Sequence, residues 1–141
     1  MTKLSPENES TLSYIENKKV KIAVVVASVT IVHFFLVPIL NKLSKFYNVT
    51  LILKNDAPDL LMEMALPVSV LEIPIERKIK LFADIKTLFK LILIFRREKF
   101  KSVHTITPKA GLLGTIASFL ARIPIRIHTF QGEFWINTTG F

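Results

Sequence analysis

Short apolar runs alternate along the chain with longer segments of helical periodicity. The runs are rich in β-branched and aliphatic side chains, which is typical of buried strands. They occupy residues 21–27, 49–53, 68–73, 102–106 and 125–130. Helical segments are predicted at residues 31–47, 57–66, 77–99 and 108–122. We therefore expect an α/β fold, with a doubly wound, mostly parallel sheet, helices on both faces and right-handed crossovers.

Two of the predicted helices carry an apolar stripe that should face the sheet. In the first helix the stripe is Val32, Phe35, Leu36, Ile39, Leu43 and Phe46. In the long helix it is Leu81, Phe82, Ile85, Leu88, Phe89, Ile92 and Phe95.

Residues 22–40 are long enough to span a membrane and carry no formal charge. Two features favour a strand, a loop and a helix instead. The stretch begins with the β-branched and small residues IAVVVA, and its helical stripe continues beyond residue 40 into charged sequence. A single membrane span remains the alternative.

Composition fits one folded domain. The chain has 141 residues, of which 50% are hydrophobic. Residues 1–19 are mostly polar and predict a flexible arm, which leaves residues 20–141 for the domain. The absence of cysteine excludes disulfides, thiol catalysis and cysteine-ligated metals. The net charge of +8 favours partners that carry phosphate groups.

Ligands of such sheets bind beyond the carboxyl ends of the strands, where VHTITPKAGLLG joins a strand to a helix. Thr107 is predicted to cap that helix through its hydroxyl, and Pro108 suits the first helical position. Lys109 adds a positive charge at the helix amino end. Gly111 and Gly114 allow a close approach to a neighbour or ligand. The alternative is an ordinary capped helix with packing glycines.

The next strand ends at the same edge with His128, followed by Gln131, Gly132 and Glu133. A neutral imidazole there could bind a sugar hydroxyl or a phosphate, whereas the alternative is a structural histidine. Glu133 is more simply a solvated loop residue than a catalytic carboxylate. No histidine pair has metal-site spacing, and the first strand is followed by neither a dinucleotide glycine motif nor a Walker loop.

The segment 77–101 combines nine basic residues with a high apolar content. Such a helix can lie on an anionic bilayer, and the alternative is a core-packed helix with a solvated face. Nucleic acid is not expected as a partner, because aromatic and basic residues do not alternate on a predicted sheet face.

The sequence from residue 103 to 135, VHTITPKAGLLGTIASFLARIPIRIHTFQGEFW, resembles the amino-terminal domain of family 4-like glycosyltransferases that build bacterial capsular and other surface polysaccharides. Relatives often carry a second histidine where this chain has Ile106 and Gln131, and a glycine-bearing loop where it has Ser28, Val29 and Thr30. The resemblance implies the amino-terminal, Rossmann-like half of a GT-B fold, incomplete in this chain.

The resemblance also implies transfer of a sugar from a nucleotide-sugar to a lipid-linked or polysaccharide acceptor at the cytoplasmic membrane face, without a bound metal or other cofactor. The amino-terminal domain of such enzymes mainly holds the acceptor, so a missing carboxyl-terminal domain or a split partner is expected to hold the donor. His128 is the catalytic candidate. Thr30, Thr107, Lys109, Gly111, Gln131 and Gly132 are the acceptor or cleft candidates. The alternative is a non-catalytic, membrane-associated binding module that pairs with a separate chain.

Overall fold

The computed structural model describes residues 10, 11, 14, 18–76 and 78–131. Within them lies one sheet of five parallel strands in the order β3-β2-β1-β4-β5. The chain therefore builds outward from β1 to one edge, crosses back, and builds outward to the other edge. The prediction of a doubly wound, Rossmann-like α/β fold is confirmed.

The strands and helices follow the predicted order with small shifts at their ends. The strands are β1 (Lys21–Val26), β2 (Asn48–Leu53), β3 (Ser69–Glu72), β4 (Ser102–Ile106) and β5 (Ile125–Thr129). Helix α1 has three contiguous pieces, Val29–Ile31, a π-helical turn Val32–Leu36, and Val37–Leu43. The other helices are α2 (Pro58–Glu63), α3 (Leu81–Glu98) and α4 (Pro108–Leu120).

Two separate apolar clusters fill the spaces between the sheet and its helices. One joins alternate residues of β1 to α3 and α4, with Val25 and Phe95 both fully buried. The other joins the intervening residues of β1 to α1, with Val26 and Leu40 fully buried. Because successive strand residues point to opposite faces, the two clusters place α1 on one face and α3 with α4 on the other.

The apolar stripe predicted for α1 is partly wrong. Val32 and Leu36 are buried as expected, but Leu40 takes the next core position, and Phe35 and Ile39 are exposed. The π-helical turn at Val32–Leu36 explains the difference, since one extra residue per turn rotates the following residues about the helix axis.

The stripe predicted for α3 is also partly wrong. Ile92 and Phe95 are buried, whereas Phe82 and Phe89 are 90% and 63% exposed. Leu91 and Thr87 take their place against the core, and the Thr87 hydroxyl donates to the carbonyl of Pro74. The helix has apolar residues on two opposite sides, and periodicity alone did not identify the side that packs.

No helix in the described part of the chain is both long enough and apolar enough to cross a bilayer. The first apolar stretch is divided between β1 and α1, which is the arrangement favoured by its sequence. The predicted amino-terminal arm lies largely outside the described residues.

Candidate functional site

The candidate site lies where β1, β4 and β5 end and where α1 and α4 begin. Parallel strands place all these ends at one edge of the sheet. The register pairs Thr105 with His128 and Ile106 with Thr129, so the last residues of β4 and β5 lie side by side.

His128 is held from two directions. Its Nδ1 lies 2.9 Å from the Thr105 hydroxyl oxygen, and its ring packs edge-on against Phe130 at 4.4 Å between centroids. The Thr105 hydroxyl donates to the Ile127 carbonyl at 3.3 Å. A hydroxyl has one hydrogen, so when Thr105 donates to Ile127 it accepts from the Nδ1–H of His128. In that tautomer the lone pair of the imidazole is on Nε2.

Gly111 makes room for the His128 ring. A Cβ built on Gly111 would overlap that imidazole, and a Cβ on Gly114 would collide with the Thr105 methyl group. The predicted close approach at both glycines is therefore confirmed, and the neighbours are the two members of the hydrogen-bonded pair. Helix α4 can lie against the ends of β4 and β5 only because these two side chains are absent.

A second histidine–threonine pair occupies the opposite face of the sheet. His104 Nε2 lies 2.7 Å from the Thr129 hydroxyl oxygen. Burial, and secondarily the nearby His128, lowers the pKa of His104 from its ordinary value of 6.5, so its neutral form is favoured. This pair was not predicted from the sequence. Its signal is a repeated His-Thr dipeptide at 104–105 and 128–129, which ends two neighbouring strands.

Thr107 is the residue before α4, as predicted, but its hydroxyl makes no capping hydrogen bond, which corrects that prediction. Its φ of 81° is rare for a β-branched residue and differs from the extended backbone that capping residues usually adopt. The side chain is only 7% exposed, and its oxygen has no hydrogen-bond partner among the described residues. A strained, buried and unpartnered hydroxyl thus lies at the amino end of a 13-residue helix.

Lys109 is fixed by neighbouring groups at the start of α3. Its Nζ forms an ion pair with Asp84 at 2.6 Å and also donates to the backbone carbonyl of Lys78. The hydrogen bond from Lys109 is the main reason that the pKa of Asp84 is lowered. Lys109 therefore joins α4 to α3 and brings a neutralised pair, not a free positive charge, to the edge of the site.

Thr30 lies in the first turn of α1, and the amino end of that helix is already occupied. The Asp56 carboxylate accepts from the Val29 N–H and from the Ser28 hydroxyl, each at 2.9 Å, and Ser28 in turn accepts from the Thr30 N–H at 3.2 Å. Asp56 was missed by the sequence analysis. It fills the position at which an anion would bind a helix amino end.

The remaining candidates follow β5 in sequence. Gln131 is exposed after β5, two residues beyond Thr129. Gly132 and Glu133 lie outside the described residues. In the described ranges, no three metal-ligating side chains form a group that could hold a metal ion.

Comparison with known proteins shows which proteins this chain is similar to. The family model described as "Glycosyl transferase 4-like" matches residues 21–137. The chain is 55% identical over 69 residues to the capsular polysaccharide biosynthesis glycosyltransferase CapM of Staphylococcus aureus. This alignment covers 49% of this chain and 18% of CapM. The chain is also 40% identical over 62 residues to the UDP-Gal:alpha-D-GlcNAc-diphosphoundecaprenol alpha-1,3-galactosyltransferase of Escherichia coli. This second alignment covers 44% of this chain and 16% of that enzyme.

A solved structure supports the same fold. The crystal structure of a glycosyltransferase from Rickettsia africae superposes with a TM-score of 0.61 at 16% identity, over 83% of this chain and 31% of that chain. The aligned segments thus span less than a fifth of the two curated relatives and about a third of the solved structure. At this identity the structural likeness concerns the fold alone.

Proposed function

Because the chain belongs to the glycosyl transferase 4-like family, we propose that it is the acceptor-side domain of a glycosyltransferase. The proposed reaction moves a sugar from a nucleotide-sugar to a lipid-linked or polysaccharide acceptor during surface polysaccharide biosynthesis. The observation that carries this proposal is the family match over residues 21–137. It favours a transferase over a non-catalytic binding module, and the names of both curated relatives point the same way.

The edge formed by β4, β5 and α4 is the proposed acceptor cleft. His128 presents Nε2 to an acceptor hydroxyl and is assigned the catalytic role of accepting its proton. Thr107 supplies a hydroxyl that has no hydrogen-bond partner among the described residues, and the first amides of α4 supply donors. Gly111 positions His128, and Thr30, Lys109, Gln131 and Gly132 are assigned to the rim of the cleft.

The donor is proposed to bind elsewhere. Asp56 occupies the amino end of α1, and its negative charge would repel a nucleotide diphosphate there. We therefore assign the nucleotide-sugar to a carboxyl-terminal domain or to a split partner chain. No metal or other cofactor is assigned to the reaction.

The proposed location is the cytoplasmic face of the membrane, with residues 77–101 in peripheral contact with anionic lipid. Phe82, Phe89 and Leu93 form an exposed apolar stripe on the outer side of α3, flanked by the exposed Lys86 and Lys90. Burial of such a stripe in the interfacial region of a bilayer, with lysines beside it, is the usual pattern of a membrane-surface helix. Arg77 of this segment lies outside the described residues.

A transfer assay tests the proposed division of roles. A radiolabelled UDP-sugar and an undecaprenyl-diphosphate-linked acceptor are incubated with the 141-residue chain, alone and with a donor-binding domain supplied in trans. We expect no turnover by the chain alone, because the catalytic electrostatics come partly from the donor-binding half. Turnover by the chain alone would overturn the assignment of an acceptor-side domain.

A further inference from the structure

Three arginines line one concavity at the carboxyl end of α4. Arg96 comes from α3, Arg122 follows α4, and Arg126 lies in β5. The concavity has a volume of about 580 Å³, and its other lining residues are Phe119, Leu120, Ile123 and Pro124. Arg96 is thus brought beside Arg122 and Arg126, which are distant from it in sequence, and the described residues that line the concavity include no carboxylate.

Two of these guanidinium groups are held in position by the backbone. Arg96 Nη2 donates to the Leu120 carbonyl at 3.3 Å, and Arg126 Nη1 donates to the Ile123 carbonyl at 2.9 Å. The Arg126 guanidinium also lies 5.5 Å from the centre of the Phe119 ring. These contacts use only part of the five N–H donors that each arginine carries. They reduce the entropy cost of ordering the side chains around an anion.

The two acidic residues of α3 are paired with other basic residues. Glu98, on the same helix as Arg96, pairs with Lys21 at 3.2 Å and with Arg97 at 3.1 Å. Asp84 pairs with Lys109 at the other end of α3. Among the described residues, none of the three arginines has an ion-pair partner, so an incoming anion would meet uncompensated positive charge.

The concavity is continuous with an exposed apolar surface. On the outer side of α4, Leu112 and Phe119 are 62% and 65% exposed, with Ile116 between them. Helices α3 and α4 cover the same face of the sheet and pack against each other. The exposed apolar side chains of α3 and α4 thus lie on neighbouring helices, and the arginine-lined concavity is at the carboxyl ends of both helices.

We propose that Arg96, Arg122 and Arg126 bind the phosphate group of an anionic lipid while the apolar stripes of α3 and α4 enter the bilayer surface. Guanidinium groups match phosphate oxygens through paired hydrogen bonds, and aromatic and aliphatic side chains suit the neighbouring acyl region. The adjoining apolar surface favours a lipid headgroup over a soluble phosphate as the source of the anion. This inference rests on the membrane contact in the proposed function and extends it from α3 to α4.

A vesicle flotation experiment tests the proposal with matched losses of charge. The site variant combines Arg122→Asn and Arg126→Gln; asparagine tolerates the left-handed backbone at residue 122, where φ is 59°. The control variant combines Lys42→Gln and Lys45→Gln, which removes two charges from exposed positions on or just after α1, over the other face of the sheet. Vesicles contain phosphatidylcholine alone or with 30% phosphatidylglycerol as the probe.

We expect the site variant to bind phosphatidylglycerol vesicles about 10-fold more weakly than the wild type, and the control variant less than about 2-fold more weakly. Equal losses in the two variants, or no loss in the site variant, would overturn the arginine site while leaving the membrane contact in place. Absence of wild-type binding to both vesicle types would overturn the membrane contact as well. The transfer assay depends on neither result.

Titration calorimetry with inorganic phosphate distinguishes a lipid headgroup from a soluble phosphate as the anion that binds. Weak or undetectable binding of free phosphate, together with arginine-dependent vesicle binding, supports a lipid headgroup. Tight, arginine-dependent binding of free phosphate, together with vesicle binding that ignores the arginines, would assign the site to a soluble ligand and contradict the proposal. Thermal denaturation of each variant verifies that it is folded.

Discussion

At the scale of single residues, two hydrogen-bonded pairs define the candidate site at the carboxyl edge of the sheet. His128 pairs with Thr105 on one face of the sheet, and His104 pairs with Thr129 on the other. Both pairs come from the same dipeptide repeated at the ends of neighbouring strands. The offset between strands brings each histidine beside the threonine of the other dipeptide.

Replacing Gly111 with alanine tests whether the orientation of His128 matters. Alanine has the higher helix propensity, by about 1 kcal/mol, but its Cβ would overlap the His128 ring. We expect Gly111→Ala to displace the imidazole and to lower transfer by the assembled enzyme at least 10-fold. Imidazole resonances in NMR spectra and initial transfer rates measure the two effects.

The control for this substitution is Thr115→Ala, at an exposed position on the same helix. It should change neither the His128 resonances nor the rate. Full activity in Gly111→Ala would show that the close approach of α4 to His128 has no functional role.

The lowered pKa of His104 predicts a pH-dependent stability. Well above pH 6.5 the histidine is neutral in both the folded and the unfolded chain, so its titration does not change the stability there. Below that pH the unfolded chain takes up the proton first, which favours unfolding. We expect the Tm to fall between about pH 7 and 5, and part of this fall to be missing in His104→Gln.

Thermal denaturation across that pH range measures the effect, with His33→Gln as the control because His33 is an exposed histidine on α1. Identical pH dependence in His104→Gln and the wild type would contradict a role for this histidine.

At the scale of elements, the order of strands and helices along the chain could be predicted, because runs of apolar residues identify strands. The prediction that all five strands are buried was wrong for β3 and β5, which are edge strands and largely exposed. The sides of α1 and α3 that pack against the core were predicted less well. The π-helical turn shifts the stripe of α1, and α3 has apolar residues on opposite sides. Partners distant in sequence, such as Asp56 for α1 and Asp84 for Lys109, depend on tertiary structure and give no local signal.

Two phenylalanines of α3 test which side of the helix is in the core. Phe95 is fully buried, whereas Phe89 is 63% exposed. We expect Phe95→Ala to reduce the free energy of unfolding by about 3–5 kcal/mol, because it leaves a cavity. Phe89→Ala should change it by less than about 0.5 kcal/mol. Urea denaturation measures both values, and similar losses would contradict the packing described for α3.

The amino end of α1 provides a second test at this scale. Asp56 accepts from the Val29 N–H, so Asp56→Ala should cost about 1 kcal/mol of unfolding free energy, as other losses of a helix cap do. Asp59, which lies in the first turn of α2, provides the matched aspartate control. Equal effects of Asp56→Ala and Asp59→Ala in urea denaturation would argue against the capping role.

At the scale of the whole molecule, the positive charge and the apolar surface are unevenly distributed. One edge of the sheet carries the histidine–threonine pairs and the strained Thr107. The outer sides of α3 and α4 carry exposed apolar side chains with lysines and arginines beside them. This distribution is consistent with the two proposed roles, an acceptor cleft at one edge of the sheet and a membrane contact on the outer helices.

The most direct test of the account is a comparison of acceptor and donor binding by the chain itself. Titration calorimetry in detergent would use undecaprenyl-diphosphate-linked N-acetylglucosamine as the acceptor probe and UDP-galactose as the donor probe. We expect the acceptor to bind, His128→Ala to weaken this binding about 10-fold or more while Lys42→Gln does not, and the donor to bind far more weakly. Tighter binding of the donor, or acceptor binding that does not depend on His128, would contradict the assignment of an acceptor-side domain.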